Sequence, residues 1–459
     1  MKNPLLVPEL LELLEDGRFD DIRLFCQSAH PGVVAEMLSA LPEDKPWEIL
    51  QQLPQPLRSE IFSHLDDEIQ SEMVENLNRG SVAALLTHMP PDDRADFVKR
   101  LPEERRETIL PALAQVERED IRRLSAYEEG TVGAVMTSDY ATLSAGLTAF
   151  AAIEQLRQVA PDKETIYYAY VIDEQRRMVG FVSLKDLILA RRDALVGGIM
   201  HQEVIRAHVG DDQEDAARKI QKYGLIALPV VNDADALVGI LTHDDALDII
   251  TQEQTEDMEK IMAIAGSHQA GAYLRTSCWG HFKNRAGWLV ILAAFGLVSG
   301  FIVQSFEGLL MQFAILAVFM PMLADTGGNT GSQSATLVVR ALALKEVLPR
   351  DFLRILGKEL RVALMLGLLL GVLAYARVMF FGQGSVIPDG FSLRMIGLAV
   401  ALALGLQVVT ATIIGSALPM AAARLKFDPA VVASPALTTI VDITGLTIYF
   451  ATVKFMLGL

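Results

Sequence analysis

The segment VVASPALTTIVDITGLTIYFATVKFMLGL, residues 431–459, is almost wholly apolar and is long enough to cross a lipid bilayer as a helix. Asp442 lies well inside this segment. Because a carboxylate is costly in that environment, an intramembrane acid is a candidate functional residue. In a helix, Ser434, Thr438 and Asp442 follow one another at intervals of four residues and form one polar stripe. We interpret this stripe as the lining of a pore; the alternative is a structural carboxylate that hydrogen-bonds to neighbouring helices.

The rest of the chain divides into an acidic part and an apolar part. The 459 residues carry a net charge of −17, and 51% of them are hydrophobic. Residues 1–274 contain 26 Lys and Arg against 49 Asp and Glu, whereas residues 275–459 contain 14 against 8. Dense carboxylates suit hard divalent cations and argue against a nucleic acid partner, which requires a basic surface. Ordinary solubility charge is the alternative explanation.

Several classes of protein are disfavoured by what the sequence lacks. Cys26 and Cys278 are too few to form a disulfide framework, and neither lies in a thiol metal motif. The first 30 residues lack a charged and then apolar leader, so we expect the acidic part to stay in the cytoplasm. The histidines are scattered and show no spacing to a nucleophile, which predicts a protein that is not an enzyme.

Residues 41–102 show a pattern with a period of 12 residues. At each step an apolar residue precedes Pro, Asp or Asn, as in Leu53-Pro54 and Leu101-Pro102, and a short amphipathic run follows. The pattern predicts stacked short helices, an acidic superhelical N-terminal domain at residues 1–130. Its surface includes Asp92, Asp93 and Asp96, which from the sequence are either helix caps and solvated charges or ligands.

Residues 131–252 contain an internal duplication. Strands predicted at 167–173 and 178–183 precede a helix at 184–191, and the order recurs at 228–232, 237–242 and 243–250. Each copy opens with a Met-containing turn and ends in Ser or Thr, two further residues and Asp. These features resemble a tandem pair of CBS domains, here at about 131–196 and 197–252.

The CBS resemblance implies a regulatory, α+β pair that binds an adenine nucleotide such as ATP. It would place Ser183 and Asp186 at the ribose and stack Tyr168 on the base. The alternative is that Ser183 and Asp186 only cap the following helix.

A connecting segment at 253–280 leads into the apolar part of the chain, 281–459. A polar-to-amphipathic helix is predicted at 251–265, and we count five spans, at 286–303, 309–323, 362–374, 396–421 and 431–455. The loops that would face one side carry most of the Lys and Arg, which predicts an N-terminus on the cytoplasmic side of the cytoplasmic (inner) membrane. An odd number of spans then predicts a C-terminus outside.

The stretch DTGGNTGSQSAT, residues 325–336, is polar and Gly-rich although it continues an apolar helix. Polar backbone at that depth is tolerated where it lines water or packs inside protein. The stretch could supply oxygen and amide ligands at a pore mouth, or its glycines could serve close helix packing.

Together, residues 327–337 and the two elements Asp428-Pro-Ala430 and Val441-Asp-Ile-Thr-Gly-Leu446 resemble the MgtE family of magnesium channels. The order of parts also resembles that family: acidic superhelix, CBS pair, connecting helix and five spans. The resemblance implies a multidomain membrane protein that forms a homodimer in the lipid bilayer. It implies a Mg²⁺-selective channel that closes when intracellular Mg²⁺ is plentiful.

The resemblance also implies two sets of divalent-cation ligands. Asp442 would be the pore carboxylate, facing its copy across the dimer axis. The positions that match the family's sensor are Asp92, Asp96, Asp212, Glu214, Asp245, Asp248, Glu253, Glu256, Asp257 and Asp428. The chain departs from the family at Thr438 and Ser434, where an apolar residue and Asn are frequent, and at Gly224, where an acid is frequent.

Two other functions compete with a Mg²⁺ channel. One is an ion-coupled secondary transporter of Mg²⁺ or of another divalent cation such as Co²⁺ or Mn²⁺, with Asp442 as a relay. The other is a nucleotide-sensing scaffold whose spans only anchor it. The polar stripe around Asp442 argues against the scaffold, because an anchor needs no intramembrane acid.

Overall fold

The computed structural model describes residues 7–42, 44–75, 77–265, 273, 276–384, 387–431 and 435–459. The chain forms two compact units, Met1–Thr251 and Gln252–Leu459. Each unit contains its own buried apolar clusters.

Short helices build the first part of unit 1. Five of them begin one residue after the predicted starting position, at Gln55, Asp67, Arg79, Pro91 and Glu103, as the 12-residue pattern predicts. The helices are α1 (Val7–Glu15), α2 (Phe19–Ser28), α3 (Pro31–Leu38), α4 (Lys45–Leu50), α5 (Gln55–Ser63), α6 (Asp67–Glu75), α7 (Arg79–Thr87), α8 (Pro91–Arg100), α9 (Glu103–Ile109) and α10 (Gln115–Leu124). Their apolar faces share one core that runs from Ile22 to Ile121.

A hydrogen bond from a polar side chain to the preceding helix repeats with the same period of 12 residues. Arg58, Gln70, Arg94 and Arg106 occupy one position of the repeat, and Val82 occupies the intervening one. Each of the four polar side chains donates to a carbonyl oxygen near the end of the preceding helix, at 2.7–2.9 Å. The last carbonyls of a helix have no partner within that helix, so these side chains act as C-terminal caps from the next repeat.

The second part of unit 1 contains two three-stranded sheets with the same topology. The first copy is α11 (Val132–Val135), β1 (Tyr140–Leu143), α12 (Ala149–Val159), β2 (Thr165–Ile172), β3 (Met178–Ser183) and α13 (Leu184–Leu189). The second copy is α14 (Val196–Ile199), β4 (Ala207–His208), α15 (Gln213–Tyr223), β5 (Ala227–Val231), β6 (Leu237–Thr242) and α16 (His243–Ile261). In each sheet the middle strand pairs parallel to one neighbour and antiparallel to the other. The predicted duplication is confirmed.

The two copies interlock through the Met-containing turns. The amide of Thr137, in the turn of the first copy, donates to the carbonyl of Ile240 in a strand of the second copy at 2.9 Å. Likewise, the turn of the second copy contacts a strand of the first, where the amide of Phe181 donates to the carbonyl of His201 at 3.0 Å. A Cβ at Gly239 would lie 2.8 Å from the Thr137 carbonyl oxygen, and one at Gly180 would lie 2.7 Å from the carbonyl of His201. The glycine in each strand pair therefore admits the turn of the other copy.

Helix α16 is longer than predicted. The sequence suggested one helix ending near residue 250 and a second one beginning at 251, but α16 continues without a break to Ile261. No Gly or Pro interrupts the helical pattern there, so nothing in the sequence stops the helix.

Unit 2 is a bundle of long helices. Among the described residues, four helices are long and apolar enough to cross a membrane: Cys278–Ser305, Pro349–Phe381, Leu393–Arg424 and Ala436–Leu457. The α-helices in the described part of unit 2 after α16 are α17 (Cys278–Ser305), α18 (Glu307–Gln312), α19 (Met320–Ala343), α20 (Phe352–Phe381), α21 (Leu393–Arg424) and α22 (Pro435–Leu457). Glycines allow close crossings, since Gly367 and Gly371 would place a Cβ 3.0 and 3.1 Å from carbonyl oxygens of α21.

The span predicted at 309–323 is not a continuous helix, and five apolar spans are not confirmed. The segment is divided between α18, a 3₁₀ helix at Ala314–Phe319 and the first turn of α19. Phe313, with φ −125° and ψ 71°, breaks the helical path, and Pro321 lies in the first turn of α19, where proline starts a helix. Helix α19 is instead the polar, Gly-rich element of the bundle.

Candidate functional site

Asp442 lies on α22, half-buried within the bundle. Its Oδ1 atom is buried and has no hydrogen-bond partner among the described residues. Thr438, one turn earlier, is also partly buried. Ser434, the third member of the predicted polar stripe, lies outside the described residues. A buried carboxylate oxygen in unit 2 that no described residue contacts by a hydrogen bond is chemically suited to a hydrated cation.

The Gly-rich face of α19 packs beside Asp442. A Cβ at Gly328 would lie 3.3 Å from the Thr438 methyl group, and one at Gly331 would lie 3.4 Å from Val441. Helix packing thus accounts for these glycines. Two polar side chains of α19 have hydrogen-bond partners in the protein. Asn329 donates to Asp325 at 3.2 Å, and Ser334 donates to Glu359 at 2.7 Å. A ligand role for this stretch stays a prediction.

Gln407 is a polar residue of the bundle that the sequence analysis missed. It lies on α21, is 1% exposed, and donates from Nε2 to the carbonyl oxygen of Leu323 at 2.9 Å. A Cβ at either Gly327 of α19 or Gly445 of α22 would overlap its amide. Its Oε1 atom is buried without a partner among the described residues. One amide therefore joins the Gly-rich helix to the helix that carries Asp442.

Acidic side chains from three regions of unit 1 converge beside α8. Burial, with repulsion from Asp245, raises the pKa of Asp92 well above its usual value. Partial desolvation by neighbouring atoms, with repulsion from Asp245, also raises the pKa values of Asp93 and Glu164, although both residues are exposed. Burial also raises the pKa of Asp245 to about 6, against the hydrogen bond that the Thr242 hydroxyl donates to it. The Asp92 Oδ1 atom is buried without a partner among the described residues. Asp93 and Glu164 are additions to the predicted set.

This acidic group is not a preformed metal centre. Within the described ranges, no three His, Cys, Asp or Glu side chains are arranged closely enough to hold a metal ion. Asp96, which the sequence placed here, pairs with Lys99 at 3.0 Å. The repulsion that raises the pKa values is the electrostatic condition that a divalent cation would relieve.

Asp212 and Glu214 have local structural partners. Asp212 is the N-cap of α15 and accepts from the amides of Glu214 and Asp215 at 2.9 and 3.1 Å. Glu214 forms an ion pair with Arg218. Asp248, one turn after Asp245 on α16, is exposed and contributes to the repulsion on Asp245. These residues keep their ligand role as a prediction only.

A second acidic group lies in unit 2 and contains a lysine. Lys260 of α16 contacts Glu256 and Asp428, each at 2.8 Å. Burial and the charge of Asp428 raise the pKa of Asp257, and Glu253 and Glu256 add to the repulsion. Lys260 was not among the predicted site residues, yet its ammonium group joins the connecting helix to the loop before α22.

Of the candidate nucleotide residues, Tyr168 lines a small cleft between the two copies, and Ser183 and Asp186 lie outside its lining. Its volume is about 120 Å³, and its lining includes Tyr168, Phe181 and Pro229. Ser183 and Asp186 form a reciprocal capping box at the start of α13, with the Ser183 hydroxyl donating to Asp186 at 2.6 Å. Ser183 and Asp186 therefore cap α13, and their contact with a nucleotide stays a prediction. His201, a residue that the prediction omitted, contacts Asp186 at 3.1 Å and stacks on Phe181.

Three protein-family models match the chain, in four segments. Residues 320–452 match the family described as MgtE, a divalent cation transporter. Residues 29–130 match the MgtE intracellular N domain, and residues 132–193 and 196–252 each match a CBS domain.

Individual proteins similar to this chain are named as magnesium transporters. The chain is 39% identical over 340 residues to "Magnesium transporter MgtE" of Thermus thermophilus, covering 74% of this chain and 73% of that protein. It is 35% identical over 334 residues to the protein of the same name from Enterococcus faecalis, covering 73% and 71%. A crystal structure of the cytosolic domain of the Mg²⁺ channel MgtE in complex with ATP superposes with a TM-score of 0.50 at 34% identity, covering 53% of this chain and 100% of that one.

Proposed function

This chain belongs to the MgtE family of divalent cation transporters, and from that membership we infer that it transports Mg²⁺ across a membrane. The family consists of transporters and not enzymes. The observation that carries the proposal within this chain is the buried Oδ1 atom of Asp442, which has no partner among the described residues and lies on a helix long and apolar enough to cross a membrane.

We propose that Mg²⁺ passes beside Asp442 as a hydrated ion in a channel. Mg²⁺ gives up its water reluctantly, so one or two carboxylates at a pore suit it better than a closed cage of ligands. Two copies of the chain would bring two Asp442 side chains to one axis, which favours a homodimer. Weak binding of this kind permits release as well as entry, as conduction requires. Thr438 and Ser434 would adjust selectivity.

The two acidic groups support gating by Mg²⁺. In the proposed mechanism, the cation binds the acids beside α8 and the acids around Lys260, removes their repulsion and favours a closed state. Both groups are built from residues far apart in the sequence, so their occupancy would couple separate parts of the chain. ATP would bind at Tyr168, Ser183 and Asp186 and bias the same equilibrium. An N-terminus in the cytoplasm and a location in the inner membrane complete the proposal.

The central experiment is Mg²⁺ flux into liposomes with the wild-type chain and with Asp442→Asn. We expect the variant to lose nearly all flux, since the change removes the charge at nearly constant volume. Asp389→Asn, which alters an acid outside the spans, is the matched control and should retain flux. Near-normal flux through Asp442→Asn would reject the pore assignment.

A coupled transporter is the competing mechanism, and the same liposomes distinguish the two. A channel should pass Mg²⁺ down its own gradient with no proton or sodium gradient present. Flux that strictly requires either gradient would reject the channel. A panel with Co²⁺ and Mn²⁺ measures selectivity in the same preparation.

A further inference from the structure

A cleft beside the C-terminal end of α20 lies apart from all the sites above. Its volume is about 640 Å³. Its apolar walls are formed by Ala314, Ile315, Val318, Phe319 and Phe381. Val318 is 55% exposed and Phe381 is 84% exposed, so the cleft opens on the outer face of the bundle.

Arg377 is the charged residue in this lining. Its guanidinium carbon lies 5.0 Å from the centre of the Phe319 ring, and Nη1 lies 3.8 Å from the sulfur of Met322. Among the described residues, no carboxylate forms an ion pair with it. Arg377 is thus a cation held against an apolar wall with no counter-ion in the described part of the chain, on a helix whose apolar length suits a membrane.

We propose that this cleft binds an anionic phospholipid. The phosphate of the lipid would pair with the Arg377 guanidinium, and one acyl chain would lie along Val318, Phe319 and Phe381. The planar guanidinium can bind two phosphate oxygens at once, and basic pockets between membrane helices suit lipid headgroups. Exposed apolar walls distinguish this occupant from free phosphate, because a free phosphate would leave them uncovered.

Charge selects among lipids at such a site. A lipid with a net negative headgroup supplies the counter-ion that Arg377 lacks. A zwitterionic headgroup carries its own cation, which competes with Arg377 for the same phosphate. The cleft should therefore prefer phosphatidylglycerol to phosphatidylcholine.

The test measures the lipid retained by the detergent-purified full chain after mixing with vesicles of phosphatidylglycerol or of phosphatidylcholine, by native mass spectrometry. We expect wild type to retain phosphatidylglycerol, and Arg377→Gln to retain about tenfold less, the effect of losing one charge-assisted contact. Arg394→Gln is the matched control. That arginine is also exposed and lies in the first turn of α21, outside the cleft lining, so its variant should retain wild-type amounts.

A second variant tests the acyl-chain wall without changing charge. Val318→Trp should fill the cleft and also lower retention, while elution in gel filtration shows that each variant is folded. Equal loss in Arg377→Gln and Arg394→Gln, or undiminished retention in Arg377→Gln, would overturn the proposal. Displacement of the lipid by inorganic phosphate alone would reassign the cleft to a free anion. Burial of Val318 against a second copy, seen by cross-linking, would also overturn it.

Discussion

Gln407 joins α19, α21 and α22 through a single amide. Its Nε2 group bonds the Leu323 carbonyl of α19, and the amide occupies the space left by Gly327 and Gly445. Because Gly445 lies three residues after Asp442, a change in this contact moves the helix that carries the carboxylate. Gln407 is a positioning residue for the proposed pathway, and Asp442 is the residue that would meet the ion.

Replacing Gln407 by Leu should lower the stability of the bundle and alter the selectivity of flux. The change keeps the approximate volume but leaves the Leu323 carbonyl without this donor, a loss of roughly 1 kcal/mol. We expect a lower unfolding temperature in detergent and an altered ratio of Mg²⁺ to Co²⁺ flux in liposomes. Gln383→Leu, an exposed glutamine at the end of α20, is the control. An unchanged flux ratio would limit Gln407 to a structural role.

Asp442 could be predicted from the sequence, and Gln407 could not. The cost of a carboxylate within an apolar helix is visible in a single segment. The role of Gln407 depends on two glycines from other helices, and no local pattern reveals that contact. Gly224 has a backbone explanation as well: it ends α15 at φ +62°, where an acidic side chain would be strained.

Helix α16 carries acidic residues along much of its length, and Lys260, near its end, places a positive charge among them. The lysine contacts Glu256 and Asp428, so it supplies part of the neutralisation that the proposed mechanism assigns to Mg²⁺. A partly exposed pair of this kind contributes on the order of 1 kcal/mol or less.

Lys260→Gln should raise the Mg²⁺ concentration that half-closes the channel, by roughly fivefold at most. Without the lysine, the closed arrangement needs more bound cation to hold Asp428 beside α16. The measurement is flux against the Mg²⁺ concentration on the side of the acidic unit. Lys222→Gln removes a lysine that lies over the Tyr223 ring and should leave the curve unchanged. A lower half-closing concentration would mean that Lys260 competes with Mg²⁺.

At the scale of elements, periodic patterns were predicted well and interruptions were not. The 12-residue pattern located five helix starts because Pro, Asp and Asn act locally as N-terminal signals. The break at Phe313 depends on the backbone conformation of one residue, which hydropathy does not reveal. The continuity of α16 depends on the absence of a stop signal, which hydropathy does not reveal either. The repeated caps Arg58, Gln70, Arg94 and Arg106 share the period but were hidden because charged residues at the surface are common.

At the scale of unit 1, the acids beside α8 make folding depend on pH. In the folded chain the pKa values of Asp92, Asp93, Glu164 and Asp245 are raised, that of Asp245 to about 6. The folded state therefore holds protons that the unfolded state has already released. The stability that these four groups contribute is fully present below their unfolded pKa values, near 4, and is lost as pH rises through the folded ones.

Without divalent cations, proteolysis of unit 1 in the full chain should accelerate between about pH 5 and about pH 8. The raised pKa of Asp245 alone corresponds to a loss of folding stability of about 3 kcal/mol as pH rises from below its unfolded to above its folded value, and Asp245→Asn should flatten the dependence because it removes one of the repelling charges. Asp193→Asn, an acid with 75% of its side chain exposed, should leave the dependence unchanged. Mg²⁺ binds carboxylates in the ionised form, so its protection should be weak near pH 5 and strong near pH 8. Protection by Mg²⁺ that is equal at both pH values would show that the cation acts elsewhere and would separate this acidic group from the proposed sensor.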